Sequence, residues 1–228
     1  MKGFYNNHVL LFGDTHAPYH HKHTLDFLND LKNTYNPDRV FHMGDLGDIY
    51  NVSDYPKDLD HPHTWKAEIK GLRKFNGDLQ KIFPELLILQ SNHDDRIYKK
   101  SRVAGVPREF MVKYLDVINA PGTWKLVPQA RFRVEKNKTH WLLAHTICSG
   151  SFSAAKQLGV SVALGHSHTK FAVQAFNNGE KIIYGVDTGC LISDEGCPYA
   201  YNKTQLGRPI RGACMIIDGI PVLIPMRG

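Results

Sequence analysis

The chain has 228 residues, 42% hydrophobic and 22% charged, an ordinary globular make-up with enough length to bury one sizeable core. The apolar run Val9 to Phe12 is too short to span a bilayer and follows no leader pattern, which argues against export or a membrane and predicts a cytoplasmic protein with one domain over 1–228. A net charge of +6 and a pI near 9.1 permit an anionic partner without requiring one.

Taken in order, His8 to Phe12 reads as a buried strand ending at Gly13, and a helix is expected from Thr24 to Asn33. A second strand, Arg39 to Met43, ends at another Gly-Asp. After Thr64, helical spacing puts Trp65, Ile69, Leu72, Phe75, Leu79 and Ile82 on one face, which marks them as core. Leu86 to Gln90 is a third buried strand, followed by a basic helix with Arg96, Lys99, Lys100 and Arg102. Beyond Pro121 helix content drops, and Trp124 to Val127, Arg131 to Glu135, His140 to His145 and Val160 to Leu164 read as short strands. Phe171 to Phe176 and Lys181 to Val186 flank Asn177-Asn178-Gly179, while Gly212 to Ile217 and Pro221 to Pro225 flank Asp218-Gly219, both hairpin signals. The stretch 192–211 is long enough for a functional flap or for a simply mobile loop.

Two histidine groups, His20-His21 with His23 and His61 with His63, lie in polar stretches without fixed carboxylate spacing and read as solvated loops. The four cysteines, Cys148, Cys190, Cys197 and Cys214, form no CxxC pair and read as small buried hydrophobes.

Chemistry concentrates in five polar clusters, each at the end of an apolar strand: Asp14 with His16, Asp45 with Asp48, Asn92 with His93, His145, and His166 with His168. A single such cluster is better explained as a satisfied loop or cap. Five in the same context point to one shared site, because the carboxyl ends of strands in open α/β sheets converge on a crevice. Imidazole, carboxylate and amide oxygen without thiolate suit divalent ions such as Mn, Fe, Zn or Ni, with Mg also admissible. Seven candidate ligands exceed one tetrahedral shell. Two ions sharing Asp45 would each gain about four protein ligands, and two dications against two carboxylates leave a positive site suited to a phosphate ester.

Gly13-Asp14-Thr15-His16, Gly44-Asp45-Leu46-Gly47-Asp48, Ser91-Asn92-His93-Asp94, Ala144-His145 and Gly165-His166-Ser167-His168 resemble the five ordered motifs of the calcineurin-like metallophosphoesterases. The resemblance implies a four-layer α/β/β/α sandwich with two mixed central sheets. It implies one metal on Asp14, His16, Asp45 and His168, and a second on Asp45, Asn92, His145 and His166. His93 would be the catalytic acid, oriented by Asp48, with Arg96 a candidate contact for phosphate. Ser91 and Ala144 stand where the family often has Gly. Ile49 stands where the protein Ser/Thr phosphatases of the superfamily carry Arg, which disfavours that branch, and the uncapped chain is similar to nuclease, small phosphodiesterase and bacteriophage-type members. The expected activity is therefore a nuclease or phosphodiesterase acting on nucleic acid or nucleotides. The alternatives are a phosphomonoesterase for nucleotides or other small phosphates and a non-catalytic binding protein, for which broken ligand motifs would be expected.

Overall fold

A computed structural model describes residues 7–54, 57, 64–194 and 207–227. In chain order the elements are β1 (His8–Phe12), α1 (Thr24–Tyr35), β2 (Arg39–His42), α2 (Trp65–Ile82), β3 (Leu87–Leu89), α3 (Arg96–Val103), α4 (Tyr114–Val117), β4 (Lys125–Val127), β5 (Ala130–Arg133), β6 (His140–Ala144), α5 (Ser151–Leu158), β7 (Ser161–Leu164), β8 (Phe171–Asn177), β9 (Ile182–Thr188), β10 (Gly212–Ile217) and β11 (Ile220–Pro225).

They build two mixed sheets. The first has the order β11-β10-β1-β2-β3-β4, with β1 to β4 parallel and β10 and β11 antiparallel; the second has the order β5-β6-β7-β9-β8, with β6, β7 and β9 parallel. Alternation along each strand decides what it packs on. Leu10 and Phe12 of β1 join Leu28, Leu31, Leu72, Phe75 and Leu79 of α1 and α2, whereas Val9 and Leu11 face Phe132, Trp141, Leu143 and Val186 of the second sheet. The opposite face of that sheet, Leu142, Val162, Leu164 and Ile183, packs on Ala154 and Ala155 of α5. The layers are therefore α/β/β/α, and each fully buried Leu contributes about 1.5–3 kcal/mol of burial energy.

Several expectations require correction. Trp65 lies in the first turn of α2, before the helix reaches the sheet, and is exposed at 38% while Ile69, Leu72, Phe75 and Leu79 are buried. Cys148 is exposed in the turn after β6, whereas Cys190 and Cys214 are buried. His20 is not a free loop residue: it is partly buried, its ring lies tilted against Phe75 at 4.2 Å between centroids, and its backbone bridges to Ile192. Helix α5 was absent from the expected strand-rich half; it is short and Ser/Ala-rich, and ends on Gly159 in the left-handed region, whose amide donates to the Ala155 carbonyl. The readings of His61, His63 and Cys197, and of 195–206 within the long loop, fall outside the described residues. Among the described residues no helix is long and apolar enough to cross a membrane.

Candidate metal centre

Because β1, β2 and β3 are parallel, as are β6 and β7, their carboxyl ends open on one end of the sandwich, and all five motifs follow those ends. Main-chain hydrogen bonds join the first two loops before any side chain acts. The amide of Asp14 donates to the Gly44 carbonyl at 2.9 Å, that of His16 to the Asp45 carbonyl at 3.0 Å, and that of Leu191 to the Asp14 carbonyl at 3.1 Å. Asp14, His16, Asp45 and His166 all have positive φ, between 47° and 67°, and so does the β-branched Ile49 at 52°. Side chains with a Cβ adopt this region at a cost, and such strain collects where ligand geometry is fixed by its surroundings. Two glycines leave room for the ligands: a Cβ on Gly44 would stand 2.5 Å from His145 Nδ1, and one on Gly165 would stand 2.7 Å from Asp14 Oδ2.

Among the described residues the donor atoms fall into three adjoining groups: one is His16 with Asp48 and His93, and the other two share Asp45. In the first of those two, atoms of Asp14, His16, Asp45 and His168 all lie within 4.8 Å of one another, and in the second so do those of Asp45, His145 and His166. His16 Nε2 and His168 Nε2 point at each other across 3.0 Å, and His168 Nε2 is 3.3 Å from Asp14 Oδ1. His145 Nε2 stands 3.2 Å from His166 Nδ1, 3.3 Å from Asp45 Oδ2 and 2.9 Å from Asn92 Oδ1, so the amide joins the second set. Imidazole nitrogens turned toward one another beside carboxylate oxygens, with no thiolate, are a donor set that fits divalent cations. All seven expected ligands are thus brought together.

Electrostatics agree with that fit. Burial pushes the carboxyls of Asp14 and Asp45 up, but the surrounding imidazoles outweigh it: His168 bonded to Asp14, and His93 and His145 beside Asp45, leave both pKa values lowered. Asp48 is likewise lowered, burial being outweighed by the hydrogen bond from His16 and by the imidazole of His93 beside it. Burial pulls His145 down, yet Asp45 raises it to about 9. His16 and His166 are lowered, chiefly by burial and then by neighbouring imidazoles. Three buried carboxylates stay ionised in one pocket, with His145 and His93 drawn toward the protonated form beside them, so that bound cations would take the place of those protons.

The remaining expected residues lie beside these sets with one difference in role. Asp48 Oδ1 accepts from His16 Nδ1 at 2.7 Å and is 3.3 Å from His93 Nδ1. His93 Nδ1 instead donates to the main-chain carbonyl of Asp48 at 2.6 Å. Asp48 thus orients a metal-set histidine through its carboxylate and His93 mainly through its backbone. Arg96 Nη1 donates to the same carbonyl at 2.7 Å, and Nη2 is 2.9 Å from His93 Nε2. Burial disfavours protonation of His93, but Asp45 and Asp48 outweigh it and its pKa is raised.

Two supporting residues escaped the sequence reading. Thr15 Oγ1 donates to the Leu46 carbonyl at 2.9 Å, so it accepts from His42 Nε2 at 3.1 Å, leaving His42 Nδ1 to accept from the Gly44 amide at 3.3 Å. His42 is therefore neutral, and burial pushes its pKa down to about 3. The buried Glu68 of α2 accepts from the amides of Tyr50 and Asn51 at 2.6 and 3.1 Å and from Asn51 Nδ2 at 2.6 Å, fixing the turn just after Asp48. A histidine inside an apolar strand, and a carboxylate one residue before the apolar face of α2, were the available signals. A groove of about 560 Å³ lined by Lys32, Arg39, Leu87 and Lys125 opens at the opposite ends of the strands and holds none of the expected site residues.

No family model matches the sequence, and no curated protein matches it. Among solved structures, the chain is similar to vacuolar protein sorting 29 of Cryptosporidium parvum, at 14% identity over 96% of both chains with a TM-score of 0.44. It is also similar to Vps29 of Chaetomium thermophilum, at 13% identity over 91% of this chain and 80% of that one, with a TM-score of 0.40.

Proposed function

We propose that the chain is a calcineurin-like, metal-dependent phosphoesterase, a phosphodiesterase or nuclease acting on nucleic acid or nucleotides in the cytoplasm. The carrying observation is the convergence of seven donor side chains, from five strand ends, into two sets that share Asp45. Asp14, His16, Asp45 and His168 would hold one ion; Asp45, Asn92, His145 and His166 would hold the other, with Mn the ion of choice for this mixed nitrogen and oxygen set. When bound, such a pair supplies Lewis acidity toward phosphoryl oxygens and a nucleophile at neutral pH.

The chain's own residues do the rest. Asp48 keeps the His16 Nδ1 proton in place, which directs Nε2 to the metal set. His93, anchored through Nδ1 to the Asp48 carbonyl, would carry the proton for a departing oxygen on Nε2, the nitrogen that accepts from Arg96 Nη2 in the resting arrangement. Arg96 reaches the same spot, and its guanidinium can pass from His93 Nε2 to a phosphate oxygen, for which its planar fork is suited. Every ligand position of the motifs is filled, which favours catalysis over a binding module.

A metal-by-substrate panel tests this reading. Bis-4-nitrophenyl phosphate, the nitrophenyl monoester, nucleotides, and single- and double-stranded DNA and RNA would each be offered with Mn, Mg, Ni, Zn or none. Diester cleavage that needs added metal is expected. Brisk monoester hydrolysis with no diester cleavage would move the activity to a small-molecule phosphatase, and inertness throughout would refute the hydrolase.

A further inference from the structure

Helix α3 starts inside the site and ends outside it. Arg96, in its first turn, touches His93; Lys99, Lys100 and Val103 follow at helical spacing, about 10 Å farther along. Every residue from Arg102 to Phe110 is exposed, and the segment carries large apolar side chains to solvent: Val103 at 90%, Phe110 at 79% and Val112 at 60%. It is not a loose excursion. Tyr98 Oη accepts from the Tyr114 amide at 2.9 Å and donates to the Val112 carbonyl at 3.5 Å, and the Val106 amide donates to the Ser101 carbonyl at 2.9 Å, so the rim is tied to α3 at both ends.

Its charge is one-sided. Arg96, Lys99, Lys100, Arg102, Arg108 and Lys113 face a single carboxylate in this stretch, Glu109. Lys100 is paired with Asp54, whereas Lys99, Arg102, Arg108 and Lys113 have no ion-pair partner among the described residues. Cations in a row with an exposed aromatic ring between them form a track for a polyanion whose bases are free to stack. A duplex keeps its bases stacked on one another, so the exposed Phe110 favours a single strand.

We propose that the strip from Lys99 to Lys113 is a binding track for single-stranded nucleic acid, with Phe110 as a stacking platform and Arg102 and Arg108 on the backbone, leading the strand to Arg96 and His93. This rests on the phosphodiesterase reading for its purpose but not for its test.

The test is fluorescence anisotropy of labelled oligo(dT) and oligo(U) on the full chain, with and without chelator, beside turnover of bis-4-nitrophenyl phosphate. Phe110→Ala should weaken oligonucleotide binding about five- to a hundredfold. Arg102→Ala with Arg108→Ala should lower the slope of log affinity against log salt by about one to two. Both losses should fall on the oligonucleotide far more than on the small diester. Wild type that cleaves the diester but binds no single strand, or Phe110→Ala that binds as wild type does, overturns the track and leaves the hydrolase standing. Strip-dependent binding without any hydrolysis does the reverse. Strip variants that weaken binding to anionic lipid vesicles, or shift a monomer–dimer equilibrium, with oligonucleotide binding unaffected, overturn it in favour of those partners.

Discussion

The Asp48 carboxylate is bonded to His16, at 2.7 Å, more closely than to His93, at 3.3 Å. A carboxylate behind a metal-set histidine fixes its tautomer and raises its basicity, and removing such a partner typically costs about 10–100-fold in metal affinity or activity. Asp48→Asn should therefore weaken metal binding as well as rate. Metal titration followed by calorimetry reads this, and a variant with unchanged metal affinity and a purely catalytic defect would return Asp48 to a role through His93 alone.

Asp45 belongs to both donor sets. Asp45→Asn removes one anion from between two cations, so both sites should lose occupancy together and activity should vanish. Elemental analysis of the purified variant measures it, and full occupancy with near wild-type turnover contradicts a shared ligand.

His93→Ala leaves both donor sets intact. It should keep its metals and lose about 10²–10⁴-fold in rate on substrates with poor leaving groups. The loss should shrink on nitrophenyl esters, whose leaving group needs little protonation. An equal loss on both would show that His93 positions the phosphate.

Glu68 is the sole described side chain that accepts from both amides of the turn after Asp48. Glu68→Ala leaves those donors short of a partner, at a cost of about 1–3 kcal/mol. The urea midpoint should fall accordingly, and kcat should fall further than KM because the Asp48 carbonyl that anchors His93 and Arg96 sits on that turn. Glu68→Gln, which keeps an acceptor oxygen, should recover part of both.

His42 is neutral in the fold with a pKa of about 3, against about 6.5 when unfolded. Between those values the unfolded chain binds one more proton, so stability falls as pH drops from about 6.5 toward 3 and the contribution is complete above 6.5. Replacing His42 by Asn should flatten the pH dependence of urea unfolding in that window by about one proton. A slope identical to wild type would place the titration elsewhere.

Strand ends and ligands were legible because they share a cause. A buried strand is largely apolar, so the Asp, Asn or His just beyond it stands out, and β1 and the five clusters fall where the pattern puts them. Supporting contacts were not legible. Glu68 lies sixteen residues or more from the amides it holds, and no periodicity connects a helix carboxylate to a distant turn. The contact of Asp48 with His16 was hidden for the same reason: only the crossing of the loops after β1 and β2 sets its carboxylate against that ring. Helix α5 was hidden by its length, since eight small residues carry too weak a stripe to outweigh the strands around them.

Strand β1, which delivers Asp14 and His16, lies between β2 and β10, and Leu10 pairs with Met215. During synthesis β1 can pair with β2 early, yet its other edge stays open until residues 212–217 have left the ribosome. Asp14 also waits for Leu191 to close its carbonyl. One edge of β1 is thus closed by a strand about two hundred residues away in sequence, and the other by its near neighbour β2. The strand that carries Asp14 and His16 is therefore held on both edges only once the β10–β11 hairpin has docked.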